Sequence, residues 1–521
     1  MEQWSKNIDF AAVGKQFGTP LYVFNPQQLK RNVAAYLKLV GEAERIVYPV
    51  KANPSLAVLQ ELNKLGCGAD CASNAEVNMA QQAGISIDRI IYNTPCPDLD
   101  LALFLLKNKG KVVIDSLEFL YELAGEINSA SCAGDVLIRI NPAINLSAQQ
   151  STETQKILAH GSSQAKFGIA AEDLLVLENL PLKIRGLHLH AGSRIDNLQN
   201  FAVMIQYLHE IAQELKYKGQ EIEIINIGGG LGIPYTEGDL FPDISDLAEL
   251  LSPLMHKNKI YMVEPGNSLI GNTMGLITKI RQLKQIRGKR WGIIDVGCDQ
   301  LINQIALKTP HQILTQEHKP LSNNGSDSLG GPLCFAGDVI LERTDLANLK
   351  KGDIVFIQHT GAYCFALSNH FNGRFYQGMV RLEEDNSITW AHCPEKEYND
   401  INNSTYSPDF TSLSKTADFH VWNEKISVSE NDTGTLIHLI ECYLLESLNK
   451  IIARPRLTLA IDFAQVDFSE RNSPEKSELN LHCAMSFIIK NQRNQEFIHV
   501  RVSEFLLGLR AHWLIKIQTN P

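Results

Sequence analysis

The sequence predicts a (β/α)8 barrel joined to a mostly-β domain, with an additional C-terminal α+β segment. Three observations predict this. Short β-branched runs alternate with helical stretches through the first two-thirds of the 521 residues, polar and glycine residues gather at the ends of those runs, and the texture changes after about residue 270. Eight such runs fit a closed barrel better than an open doubly wound sheet.

The eight runs are RIVYPVKA ending near Lys51, GADCAS near Asp70, RIIYNTP near Asn93, KVVIDS near Asp115, DVLIRINP near Arg139, IRGLHLHAG near His190, EIINIGGG near Gly228 and KIYMVEPG near Glu264. Segments such as LAVLQELNKLG between them carry helical spacing. Later runs, WGIIDVG, GDIVFIQ and MVRLEED, are separated by Gly and Asn/Asp turns and read as strands of a second domain. The expected organisation is residues 1–25 contributing to the β domain, 26–270 as the barrel, 271–395 as the β domain, 396–417 as a polar linker and 418–521 as a separate α+β domain.

The net charge of −10 argues against nucleic acid or an anionic membrane surface as a partner. No stretch approaches twenty apolar residues, and MEQWSKNIDF does not read as a signal peptide. Ten cysteines without CxxC pairs suit reduced thiols in a cytoplasm, and no metal site is expected.

The chemistry sits where a barrel builds its site, at the C-terminal mouth. A lysine closing an apolar run is costly to bury, and Lys51 is read as an amine that loses its proton to form a Schiff base. The glycines of IGGGLG let backbone N–H groups approach a phosphate, and Ser193 adds a hydroxyl donor. His190 can lie flat on an aromatic ring, and Glu264 can keep a pyridinium nitrogen protonated. Taken singly, these residues are a solvent-reaching lysine, a tight turn, a core histidine and a loop cap. Their shared place at one face of one barrel outweighs those readings.

At these residues the sequence resembles the pyridoxal-5′-phosphate (PLP) dependent ornithine/diaminopimelate decarboxylases, of the alanine-racemase-like fold. The resemblance runs through YPVKAN (48–53), GADCASNAEV (68–77), KFGI (166–169), GLHLHAGS (186–193), NIGGGLGIPY (226–235), EPG (264–266), GPLCFAGD (331–338) and TGAY (360–363). It implies PLP as cofactor, with Lys51 bonded to it, Asp70 and Arg139 near the ring, and His190 stacked on it. It further implies Ser193, Gly229, Gly230, Gly266 and Tyr363 around the phosphate, and Glu264 on the ring nitrogen. Cys334 matches a cysteine that such enzymes supply from a neighbouring subunit, which implies a head-to-tail homodimer.

The chain departs from the family at its specificity positions. Asn267 follows EPG where arginine is usual, and Asn303 and Gln304 stand where an Arg-Pro pair clamps the distal end of diaminopimelate. Phe335 follows the cysteine where an acid pairs with a distal ammonium. Free diaminopimelate, ornithine and lysine are therefore expected to be poor substrates. A neutral, acylated or carrier-linked amino acid fits better, as in siderophore or antibiotic assembly. An amino-acid racemase on the same fold is one rival reading, and a catalytically silent relative acting through partners is another. The C-terminal segment loosely resembles hot-dog thioesterase domains, with Asp432 and His438 as its candidate polar residues; a packing or dimerisation module is the plain alternative.

Overall fold

A computed structural model describes residues 3–127, 133–143, 160–190, 192–306, 309–374 and 377–393, and the backbone of three strands within 480–519. The chain divides into two units, Met1–Pro394 and Glu395–Pro521.

The first unit opens with a 3-10 turn, Gln3–Asn7, followed by a short helix, Phe10–Phe17, whose N-terminus is capped by Asp9, and the strand β1, Leu21–Phe24. The barrel then forms from β2 (Val47–Pro49), β3 (Gly68–Cys71), β4 (Ile90–Asn93), β5 (Lys111–Ile114) and β6 (Asp135–Asn141). A two-residue strand, β7 (Ile169–Ala170), pairs only with β6, and β8 (Gly186–His188), β9 (Ile224–Asn226) and β10 (Ile260–Met262) complete the ring. All neighbours pair in parallel, and a bridge between Ile46 and Val263 joins last to first, with Val47 N–H donating to Val263 O at 2.8 Å. All eight expected runs are barrel strands.

The βα loops end in side chains that take up orphan helix N–H groups. Ser73, Asp98 and Ser116 each accept from the backbone of the first turn of the helices Asn74–Gln82, Leu99–Lys107 and Leu117–Glu126. These caps hold each helix start at a fixed distance from the strand that precedes it.

Inside the barrel Val47, Ile91, Val113, Leu137, Ile224 and Met262 form a closed apolar plug. Strand side chains repeat every two residues, so the next inward tier is Pro49, Asp70, Asn93, Asp115, Arg139, His188, Asn226 and Glu264. A polar tier thus rests on an apolar floor at the C-terminal mouth.

The second sheet contains β11 (Met274–Ile286), β12 (Lys289–Ile294), β13 (Ile313–Thr315), β14 (Asp327–Gly330), β15 (Val339–Thr344), β16 (Ile354–Gln358), β17 (Gly378–Leu382) and β18 (Ile388–His392). Its order is β15-β14-β12-β11-β1-β17-β18, with β16 also on β11 and β13 on β16. β1 lies at the seam, antiparallel to β11 and parallel to β17. Phe10 stacks on Phe356 at 4.3 Å, and Trp4, Leu21, Val23, Ile277 and Val380 belong to the same core.

In the second unit, β19 (Asn480–Lys490), β20 (Glu496–Leu507) and β21 (Arg510–Thr519) form an antiparallel sheet. The first two fall on the runs ELNLHCAMSFIIK and EFIHVRVSEFLLG, whose alternating pattern predicts strands; the third was not anticipated. The expected linker, the long apolar helix that TLIHLIECYLLESLNKII predicts, and Asp432 and His438 lie outside the described residues. Among the described residues no helix is long and apolar enough to cross a membrane.

Candidate active site

The mouth of the barrel opens into a cavity of about 320 Å3. Lys51, Arg139, His190, Ser193, Gly230, Glu264, Gly266, Asn267, Asn303 and Tyr363 all line it. The sequence motifs point to each of these residues. Lys51 is not within a strand: it sits in a single 3-10 turn, Val50–Ala52, directly after β2, and its side chain is half-exposed to the cavity.

Ion pairs and charged hydrogen bonds organise the polar tier. Lys51 Nζ donates to Asp70 Oδ2 at 2.7 Å, with the Asp70 side chain fully buried behind it. Burial alone would lower the Lys51 amine, but Asp70, with Tyr363 and Glu264, outweighs it and drives the net shift upward. Burial lifts Asp70 to about 6 even beside that ammonium. Arg139 meets Asp115 at 3.4 Å and lies over the Phe167 ring at 4.5 Å.

Glu264 is held on both oxygens. His188 Nε2 lies 3.1 Å from Oε2, and Asn226 Nδ2 donates to Oε1 at 2.7 Å. Burial pushes its carboxyl up, but His188, the Asn226 hydrogen bond and Lys51 prevail, so Glu264 stays below the ordinary range and ionised. An anion and an ammonium therefore face one cavity.

The glycine turn after β9 packs tightly against the ends of β8 and β10. A Cβ at Gly229 would lie 2.0 Å from Glu264 O, and Gly230 has φ +116°, so neither position admits a side chain. Gly229 is not itself on the cavity surface; its N–H donates to His190 Nδ1 at 3.2 Å. That bond fixes His190 with its other nitrogen protonated, and burial with His160 and Arg139 nearby pushes its pKa well down. His190 stacks on His160 at 5.1 Å.

The β domain supplies the remaining wall. Tyr363 comes from the turn after β16, its N–H donating to Ala52 O at 2.8 Å, and Asn303 comes from the short helix Ile302–Ala306. Gln304, its neighbour, instead turns to the backbone of Ile340. Cys334 and Phe335 are not among the cavity-lining residues. They occupy an exposed turn between β14 and β15, with Phe335 50% exposed. Asp338 pins that turn by accepting from Leu333 N–H at 2.9 Å and Cys298 N–H at 2.7 Å, and Cys334 N–H donates to Asn372 Oδ1 at 2.9 Å.

The structure adds residues the sequence reading did not assign: His188 and Asn226 behind Glu264, Asp115 behind Arg139, and Arg194, Tyr235 and His160 on the cavity wall. His188 carried a usable signal, since it stands two residues before His190 on the same strand face.

Comparison with known proteins agrees with this architecture. Residues 26–271 match the family model for the pyridoxal binding domain of pyridoxal-dependent decarboxylases. The diaminopimelate decarboxylase of Aquifex aeolicus is 31% identical over 399 residues, covering 73% of this chain and 91% of the relative. A probable chloroplastic diaminopimelate decarboxylase of Oryza sativa is 30% identical, covering 72% and 78%. The diaminopimelate decarboxylase of Helicobacter pylori, solved with L-lysine, superposes with a TM-score of 0.67 at 25% identity, covering 76% of this chain and 99% of that one. With a barrel that brings an amine and a buried carboxylate to one cavity, the chain belongs to the PLP-dependent ornithine/diaminopimelate decarboxylase family and is an amino-acid carboxy-lyase that uses pyridoxal 5′-phosphate.

Proposed function

We propose that this enzyme removes the α-carboxylate from an amino acid whose side chain does not end in a free ammonium. One observation carries the reading: among the described residues lining the cavity, Glu264 is the sole carboxylate, and it is already engaged by His188 and Asn226. A distal ammonium would find no anion to meet it, and burying an unpaired charge is costly. Siderophore or antibiotic pathways, where amino acids are joined to citrate or a carrier, provide substrates of the proposed kind.

The residues present fit the cofactor. Lys51 offers an amine at the cavity surface, Glu264 an ionised carboxylate, and Ser193 with Gly230 a hydroxyl and a close backbone approach. When bound, PLP supplies a sink for the electron pair left on the α-carbon after carbon dioxide departs. Lys51 would hold the cofactor's aldehyde carbon. Glu264 would keep the ring nitrogen protonated, and His190, neutral and fixed by Gly229, would face the ring. Gly229 acts by letting the turn close, while Ser193, Gly230, Gly266 and Tyr363 would hold the phosphate. Asp70 sets the charge on Lys51, and Arg139 would keep a cation beside the ring.

Cys334 lies off its own subunit's cavity on a pinned, exposed turn. We place it in the neighbouring site of a head-to-tail dimer, where Cys334 of the partner subunit returns a proton to the α-carbon and Phe335 shapes the substrate pocket. Mixing inactive Lys51→Ala and Cys334→Ala subunits should restore up to about a quarter of the activity, because one site in four subunit pairings is whole. Recovery absent despite mixed dimers would place Cys334 elsewhere. Carbon dioxide release should be at least about tenfold slower from diaminopimelate, ornithine and lysine than from their side-chain acyl forms. Equal rates would overturn the specificity reading.

A further inference from the structure

The polypeptide that enters β7 is tied to the end of β6. Asn141, the last residue of β6, donates its side-chain amide to Phe167 O at 2.9 Å and to Ser162 O at 3.2 Å, and Ile169 pairs with Ile140. Ala165 N–H closes a turn onto Ser162 O at 3.0 Å. Residues 160–167 are therefore carried on a barrel strand, and two rings from this stretch, His160 and Phe167, line the cavity.

These rings continue a stack that starts at a charge. The Arg139 guanidinium lies over the Phe167 ring at 4.5 Å, and Arg139 is itself anchored to Asp115 at 3.4 Å. Phe167 meets His160 edge-on at 5.5 Å, and His160 lies against His190 at 5.1 Å with the two ring planes 26° apart. Both ring separations fall in the span where aromatic pairs attract, about 4.5 to 7 Å between centres. The stack thus runs from the end of β6 to the residue two places beyond β8.

The hydrogen bond from Gly229 N–H to Nδ1, at 3.2 Å, fixes one edge of His190. A ring held at one edge can still tilt about that bond, so its plane is set by what lies on its face. His160 makes that contact. Burial, with Arg139 and Lys51 nearby, pushes His160 down to about 4, and His190 is pushed down as well. Two neutral imidazoles stack without like-charge repulsion. His160 stands outside every sequence motif of the site, six residues before KFGI.

We propose that His160 is a positioning residue for the decarboxylation: it sets the tilt of His190, and so the plane in which that imidazole meets the cofactor ring. Phe167 and Arg139 back His160 on its other side, and Asn141 holds the stretch that carries it. This rests on the assignment of His190 to the cofactor ring and extends it by one layer.

The test reads the bound cofactor directly. Visible circular dichroism of the holoenzyme reports how the cofactor ring is seated, and affinity is read from absorbance as PLP is titrated into protein from which it has been removed. His160→Ala should alter the dichroic band, weaken cofactor binding by about 3- to 10-fold, the worth of one aromatic pair, and lower kcat by a similar factor with KM little changed. His160→Phe keeps a ring without its nitrogens, and should restore the band with most of the affinity and kcat. A His160→Ala enzyme with the parent's band and affinity overturns the proposal. So does tighter cofactor binding, since His160 would then stand in the cofactor's own place, and so does a raised KM with an unchanged band, which would make it a substrate contact. A His160→Phe variant as impaired as His160→Ala also overturns it, because a ring nitrogen rather than the stack would then be what matters. His190→Ala separates the two layers. If it leaves the band unchanged, the assignment of His190 to the ring fails and this proposal with it; if it alters the band while His160→Ala does not, that assignment stands and the role of His160 falls.

Discussion

Replacing Lys51 with alanine is expected to abolish both carbon dioxide release and the cofactor's absorbance near the edge of the visible. Among the described residues that line the cavity Lys51 carries the sole primary amine, and its partner Asp70 at 2.7 Å is a carboxylate that cannot replace it. Turnover should fall by about 10^4-fold or more, the scale on which loss of a covalent anchor and proton carrier acts. Asp70 should be left without its cation, so the variant should also be less stable, by about 1 kcal/mol because Lys51 is half-exposed and solvent screens the pair. Thermal unfolding of the cofactor-free proteins would read that second effect apart from the first. A variant that kept the absorbance band and measurable turnover would remove Lys51 from the chemistry.

The second large effect is expected at Glu264. Glutamine fills the same space and can still accept from Asn226, but it carries no charge. The pyridine nitrogen would then lack the anion that favours its proton, and turnover should drop about 10^2- to 10^3-fold, or about 3 to 4 kcal/mol in the barrier. Cofactor content should be preserved, because Lys51 and the phosphate contacts are untouched. Measuring kcat and the bound-cofactor spectrum together separates this outcome from simple loss of cofactor. Unchanged kcat with full cofactor would show that the buried carboxylate does not act on the ring.

Much of this site was legible in sequence for a physical reason. Lys51, His190, Glu264 and the glycines stand where an apolar run stops, and strand ends are marked by Pro, Gly and a break in β-branched residues. The supporting members of the polar tier were harder to read. Asp115, His188 and Asn226 face inward only because their strands align in register around a closed ring, and register is a property of pairing rather than of any one run. Arg194 was hidden for another reason. Its direction depends on a left-handed backbone at φ +58°, which nothing in GSRI announces. The two residues of β7 are too few to show a period. The strand Arg510–Thr519 was readable, since Trp513, Ile515 and Ile517 alternate, but it went unanticipated beside the stronger patterns before it.

The strand Leu21–Phe24 has a consequence for how the molecule is assembled. Barrel strands meet partners close by in the chain, so the ring can grow as the polypeptide emerges. Leu21 instead needs Ile277 on one side and Gly378 on the other. Some 350 residues must therefore be synthesised before this early segment gains its last neighbour, and such distant closures are slow. Until then a tetrapeptide of Leu, Tyr, Val and Phe stays uncovered, the stretch a chaperone would have most reason to shield.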